Sequence, residues 1–194
     1  MTGLNRRTVL LGAGVLAGAA GSVLGGTPAA RADPGSASDV DLALLRRTFA
    51  LADDARRVGG SPYGALVADA AGNVVVEHGN TSDITGGDPT QHAELVACAT
   101  AWHTLNYDGM NTATLYASTE PCSMCAGAAY WTGIGRVVYG MSNQRLFEFT
   151  GDTPGRTSFA LPCRDILTHG SRPVTVVGPL LEDEAARSHA GFWH

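Results

Sequence analysis

The chain has 194 residues, 13 Lys+Arg against 18 Asp+Glu, and 44% hydrophobic content, enough apolar material for one globular domain to bury its own core. All 13 basic residues are arginine and no lysine occurs anywhere. Schiff-base and pyridoxal-phosphate chemistry needs a lysine amine, and a Walker-type phosphate loop needs its lysine, so both are excluded.

Residues 1–32 read as an export signal rather than as part of the fold. Arg6 and Arg7 form a charged head, Val9 to Leu24 an apolar stretch, and Ala30, Arg31 and Ala32 an A-x-A cleavage site. A membrane span wants roughly 20 strongly apolar residues, whereas this stretch is short and diluted by glycines such as Gly12, Gly14 and Gly18. The arginine pair followed by Thr8, Val9 and Leu10 resembles a twin-arginine export signal, although Leu11 stands where such signals often carry lysine. An ordinary secretory signal and an uncleaved anchor are the alternatives. The expectation is a periplasmic or secreted protein with no stable membrane insertion after cleavage. Without residues 1–32 the count is 10 basic against 18 acidic, a net of about −8. Affinity for nucleic acid comes largely from lysine and arginine neutralising phosphates, so an acidic, lysine-free domain is not expected to bind it.

Residues 33–194 read as a single domain. From Ser38 to Val58 the apolar residues Leu42, Leu45, Phe49 and Ala52 recur at helical spacing, with Ser38 as N-cap and Gly59 as stop. Ala65 to Ala68 and Val74 to Val76, joined by a turn-rich Asp69 to Asn73, predict a β-hairpin. Asn80 to Gln91 reads as a loop. His92 to Leu105 predicts a helix with Leu95, Cys98, Ala99 and Trp102 on its apolar stripe. Thr112 to Ser118 predicts a strand, Cys122 to Trp131 a helix, and Arg136 to Gly140 a strand. Gln144 to Arg164 reads as irregular, Val174 to Val177 as a last strand, and Glu182 to Ala190 as a short helix. Strands separated by helices imply an α/β fold, a three-layer α/β/α sandwich on a mixed five-stranded sheet.

Two short motifs carry chemistry: His92, Ala93, Glu94 at one helix start, and Pro121, Cys122, Ser123, Met124, Cys125 at another. One imidazole and two thiols suit zinc, and three protein ligands leave the fourth tetrahedral position open to water, as a catalytic site requires. Cys122 and Cys125 are one helical turn apart, and the positive end of the helix dipole favours their thiolates. Glu94, two residues from His92, points elsewhere than a ligand would, which suits a proton carrier for hydrolytic deamination of an amidine-like ring carbon.

H-x-E followed by P-C-x-x-C resembles the signature of the cytidine-deaminase-like superfamily of zinc deaminases. Further matching stretches are Pro62 to Ala65, Asn80, Asp88 to Thr90 and Ala126 to Gly140, so the resemblance covers most of residues 40–142 and is nearest the guanine deaminase and nucleoside deaminase branch. It implies Zn2+ held by His92, Cys122 and Cys125, with Glu94 catalytic. It further implies Asn80 hydrogen-bonding the base, Tyr63 and Trp131 walling the pocket, and the backbone near Ala93 reading a ring substituent. The implied substrate is a free nucleobase, nucleoside or related amino-heterocycle, a purine such as guanine before a cytosine-type pyrimidine. The branch's paired aspartates are absent after the R-V-V-Y-G stretch, and Glu148 or Asp152 is the acidic residue available there. The tRNA adenosine deaminase branch presents a basic surface, which this acidic chain does not match.

Other readings stand beside these. Cys122 and Cys125 alone read as a redox dithiol. A structural zinc site would recruit Cys98 or Cys163, and those two are also candidates for a disulfide. Asn80 reads as a turn former, and Tyr63 and Trp131 as core aromatics. Phe192 and Trp193 are large apolar groups at the chain end, and are expected to dock on their own subunit or, in a homodimer, on the partner as an exchanged C-terminal segment.

Overall fold

The computed structural model describes residues 37–84, 86–151 and 159–193. The export-signal reading of residues 1–32, and Asp152, lie outside them. In chain order the elements are α1 (Asp39–Arg57), β1 (Gly64–Ala68), β2 (Val74–Gly79), α2 (Ala93–Thr112), β3 (Thr114–Thr119), α3 (Ser123–Trp131), β4 (Arg136–Met141), α4 (Asn143–Thr150), α5 (Cys163–Thr168), β5 (Thr175–Val177) and α6 (Glu182–Ala185), followed by a 3-10 turn, Ala186–His189. The five-stranded sheet has the order β2-β1-β3-β4-β5. β1 is antiparallel to both its neighbours, while β3, β4 and β5 run parallel.

Side chains alternate across a strand, and here the alternation divides two cores. Ala65, Val67, Leu115, Ala117, Val137, Tyr139 and Val176 face the cluster shared with α2, α3 and α5. Their neighbours Leu66, Ala68, Tyr116, Val138 and Val177 face Leu45 and Phe49 of α1 and Ala185 of α6. Both faces of the sheet are thus covered, which gives the three layers expected. Gly64 allows the closest approach on the α1 side, since a Cβ there would sit 2.6 Å from Leu51 Cβ and 2.7 Å from Ala52 N.

Ser38 caps α1 in a capping box: the Asp41 N–H donates to Ser38 Oγ at 3.1 Å, and the Ser38 N–H donates to Asp41 Oδ2 at 2.8 Å. The same carboxylate, 5% exposed, takes Arg136 Nη1 at 2.6 Å, Arg136 Nη2 at 3.0 Å and the Tyr116 hydroxyl at 2.6 Å. Burial by itself raises the Asp41 carboxyl, but the bonds from Arg136, Tyr116 and Ser38 outweigh it and hold the group well below the usual carboxylate range. A depressed folded-state value gives stability that is present above the unfolded value of about 3.9 and is lost as pH falls through the folded one. Asp41→Asn, which leaves Arg136 without its counter-charge, is therefore expected to cost about 3 kcal/mol at pH 7. Urea unfolding checks this, and the gap to the parent chain should narrow below about pH 4.

Three elements depart from the periodicity. The helix predicted to end at Leu105 breaks there, at Asn106 (φ 51°), but resumes to Thr112. Its buried face is Ala93, Ala97, Cys98 and Ala101, whereas Ala99 is exposed and Trp102 is 42% exposed. Before the break small residues face inward because this part of α2 packs close against the sheet and α3, whereas Met110 beyond it is fully buried. The segment predicted to be irregular begins with α4, capped by Ser142 Oγ accepting from the Arg145 N–H at 3.2 Å, and α5 starts at Cys163.

Candidate metal centre and active site

The parallel strand β3 ends at Thr119, and the chain then turns through Glu120 and Pro121 into α3. Cys122 is the N-cap of α3 and Cys125 lies in its first turn, while His92 is the N-cap of α2. Neither His92 nor Cys122 spends its side chain on a capping bond, so two helix N-termini converge with their donor atoms turned to one point. His92 Nδ1 is 3.6 Å from Cys122 Sγ and 3.5 Å from Cys125 Sγ. Nitrogen and sulfur on a tetrahedral zinc, at about 2.0 and 2.3 Å from the ion, stand roughly 3.5 Å apart. The donor set fits zinc in kind and in spacing.

Among the described residues these three form the only group of ligating side chains with donors mutually within 4.8 Å, and no fourth protein ligand joins them there. Cys98 and Cys163 are wholly buried in the core beneath α2 and α3, all four cysteines are free thiols, and burial pushes Cys98 up to about 12. A three-ligand set leaves room for a reacting water, which distinguishes a catalytic from a structural zinc site.

The electrostatics follow from the crowding. The hydrogen bond from Cys125 pulls the Cys122 thiol down to about 4 against the effect of burial, and His92 adds to that pull. Cys125 moves the other way, raised by the same bond and by burial. Glu94 is 6% exposed, and its Oε2 accepts from Cys125 Sγ at 3.7 Å. Burial, then the Cys122 charge, pushes Glu94 up to about 7, the region where a carboxylate both accepts and returns protons at neutral pH.

His92, Glu94 and Cys122 line a cavity of about 1580 Å³ together with Tyr63 and Asn80. Asn80 is 1% exposed at the end of β2, and its Nδ2 donates to Ser82 Oγ at 2.9 Å and to Asp83 Oδ2 at 3.3 Å. It lines the cavity, just ahead of the turn at Ser82 and Asp83. Ala93 is fully buried between the two lining residues His92 and Glu94. Trp131 is a correction: it does not line this cavity and is 81% exposed. Six residues beyond Cys125 on one helix, it lies roughly 9 Å further along the axis. Glu148, the acidic residue available after the R-V-V-Y-G stretch, pairs with Arg145 and lines an adjoining surface concavity of about 790 Å³ that shares Ser142 and Gln144 with this cavity.

Sequence reasoning passed over Glu120. Its Oε2 accepts from the Asn143 N–H at 3.0 Å and its Oε1 from the Cys163 N–H at 2.9 Å, so one buried carboxylate ties the starts of α4 and α5 to the turn that carries the cysteines. Its place directly before Pro121 and Cys122 was the available signal. The C-terminal segment docks on its own chain: Arg56 Nη1 donates to Ser188 O at 2.7 Å and Ala190 O at 2.9 Å, and its guanidinium lies 5.7 Å from the Phe192 ring centre.

Comparison with known proteins places this arrangement. The model of the cytidine and deoxycytidylate deaminase zinc-binding region matches residues 38–141, over half of the chain. A probable cytosine deaminase of Schizosaccharomyces pombe is 41% identical over 156 residues, 80% of this chain and 94% of that protein. A tRNA-specific adenosine deaminase of Haemophilus influenzae is 41% identical over 109 residues, 56% of this chain and 62% of its own. The solved guanine deaminase of Nitrosomonas europaea superposes with a TM-score of 0.62 over 93% of this chain and 97% of its own, at 20% identity, a likeness of fold. Because the matched stretch contains His92, Cys122 and Cys125 in the geometry zinc requires, the chain belongs to the cytidine and deoxycytidylate deaminase family of zinc-dependent deaminases.

Proposed function

We propose that this chain is an aminohydrolase of free nucleobases, with guanine as its first substrate. It replaces the exocyclic amine of a cyclic amidine carbon by oxygen and releases ammonia. The observation that carries this reading is the placement of His92, Cys122 and Glu94 on a cavity, with Cys125 buried behind them, and no basic clamp for phosphate among the described residues. Arg164 is the one arginine lining it among those residues, and its Nη1 and Nη2 donate to Val176 O at 3.1 Å and Gly178 O at 3.0 Å. That guanidinium is committed to the backbone around β5, while Asp83 and Asp165 add negative charge. A neutral base suits such a site better than a nucleotide or RNA. Its size admits a two-ring purine.

Bound by His92, Cys122 and Cys125, zinc supplies Lewis-acid activation of the attacking water. Glu94 is the proton carrier. Its carboxylate takes one proton of the water and delivers it to the ring nitrogen of the amidine as the carbon becomes tetrahedral. It then carries the second proton to the amine, the C–N bond breaks with its electron pair on nitrogen, and ammonia leaves. Water supplies the oxygen and both protons, so Glu94 returns to its starting state. Asn80, its amide held in one orientation by Ser82 and Asp83, hydrogen-bonds the base; the Tyr63 ring forms a wall, and the backbone at Ala93 reads a ring substituent.

Cytosine is the second reading, supported by the near full-length match of the S. pombe relative. Ammonia release by the zinc-loaded protein from guanine, guanosine, adenine, cytosine, cytidine and tRNA separates these readings. The expected order is guanine, then cytosine, with no conversion of tRNA adenosine. Turnover of tRNA above that of every free base refutes the proposal. Absence of ammonia from all six, with a titratable Cys122–Cys125 disulfide, favours the redox reading.

A further inference from the structure

The C-terminal segment is clamped to α1 on one side and on the other packs against Tyr63 and Thr119, two residues that line the substrate cavity. Arg56 holds its backbone at Ser188 and Ala190, and Ser188 Oγ donates to Asp53 Oδ1 at 2.6 Å. Within that frame His189 turns inward and is 1% exposed. The Trp193 indole Nε1–H donates to His189 Nδ1 at 3.2 Å, and His189 Nε2 lies 3.5 Å from Thr119 Oγ1. An indole nitrogen can only donate, so Nδ1 carries no proton. The ring is therefore the Nε2–H tautomer, with its hydrogen toward the Thr119 hydroxyl.

The same ring is gripped on its faces and edges. Tyr63 meets it edge-on with centroids 5.3 Å apart, Trp193 stacks at 5.8 Å with planes 24° apart, and Phe149 of α4 lies at 6.2 Å. Tyr63 and Thr119 both line the cavity, whereas His189 does not. Thr119 is the last residue of β3, ahead of the turn into the cysteines.

We propose that His189, fixed in one tautomer by Trp193, is a positioning residue that holds Tyr63 and Thr119 as one wall of the substrate cavity, so that the C-terminal segment sets how tightly the base is held. This rests on the reading of the cavity as the nucleobase site. His189 stands behind the cavity wall and outside the metal-donor group, so its effect falls on substrate binding and not on bond breaking. Loss of a contact made equally in the ground and transition states raises KM and leaves kcat in place.

The test uses the full zinc-loaded chain. His189→Ala is expected to raise KM about tenfold, the fold-change of roughly one net hydrogen bond, with kcat and zinc content retained. His189→Gln, whose amide N–H can reach Thr119 Oγ1, should recover most of that loss. Trp193→Phe keeps an aromatic ring but removes the indole N–H together with its five-membered ring; it should raise KM by a smaller factor. Long-range 15N–1H spectra of the histidine rings should show His189 as the Nε2–H tautomer in the parent chain and a mixture in Trp193→Phe. Unchanged KM in both His189→Ala and Trp193→Phe overturns the proposal, as does a loss of kcat and zinc in step with KM. If His189→Ala does not fold, Trp193→Phe decides alone: an unaltered His189 spectrum and unaltered KM overturn it. Failure of the nucleobase reading shows separately, as a parent chain that deaminates none of the bases whatever its histidine spectrum.

Discussion

Replacing Glu94 by glutamine is expected to lower turnover of an aminated base by about 10²–10⁴-fold, the usual contribution of a positioned general acid–base, while one zinc per chain is retained. The amide is nearly isosteric with the carboxyl, so the buried site keeps its packing, but it can neither accept a proton from water nor return one to the ring. Glu94 stands outside the mutual 4.8 Å group of His92, Cys122 and Cys125, which is why metal content should not follow activity. Its Oε2 nonetheless lies within 3.7 Å of Cys125 Sγ, so it adjoins whatever the metal activates. Parallel metal analysis and ammonia assays check both halves of the expectation. Full turnover in Glu94→Gln would remove the carboxyl from the mechanism.

The second large effect belongs to the ligands. Cys122→Ser is expected to weaken zinc binding by at least about 100-fold, more than the loss of an outer-sphere partner costs, and to abolish deamination with it. Cys125→Ser should do the same. Cys98→Ala, wholly buried in the core and not one of the donor group, should keep one zinc per chain and its activity, because its role is packing. Removal of zinc with a chelator should reproduce the cysteine phenotype, and readdition should reverse it in the parent chain alone. Stoichiometry by elemental analysis is the direct measurement. A Cys122→Ser protein that retains zinc and turnover would show that the ligand set is wrong.

Much of the site was legible because its chemistry demands particular residue types at short spacings. His92 and Glu94 are two residues apart, Cys122 and Cys125 three, and each pair starts a helix, so the local pattern fixed both identity and approximate direction. The sheet covered on both faces was legible for another reason: strands separated by helices imply crossovers that place helices against it. α2 was misread where the pattern relied on size. Leu95 and Trp102 weighed more than Ala97 and Ala101, yet close helix packing prefers the small residues. Trp131 was misplaced because a resemblance supplies a residue without the distance along its helix.

A composition without lysine excludes, by itself, amine-dependent catalysis, its acidic balance argues against a general nucleic-acid surface, and the two motifs name the metal donors and the proposed proton carrier. Those are properties of residue type and local spacing, which a sequence carries on its own. Tertiary structure alone decided which distant groups meet. It put Glu120 between the starts of α4 and α5, Asp41 against Arg136 and Tyr116, and His189 between Trp193 and Thr119. No periodicity relates these positions. They meet because β1, β3 and β4 lie side by side in the sheet and the chain's last turn folds back across α1, so their contacts are set by topology and packing rather than by neighbours in sequence.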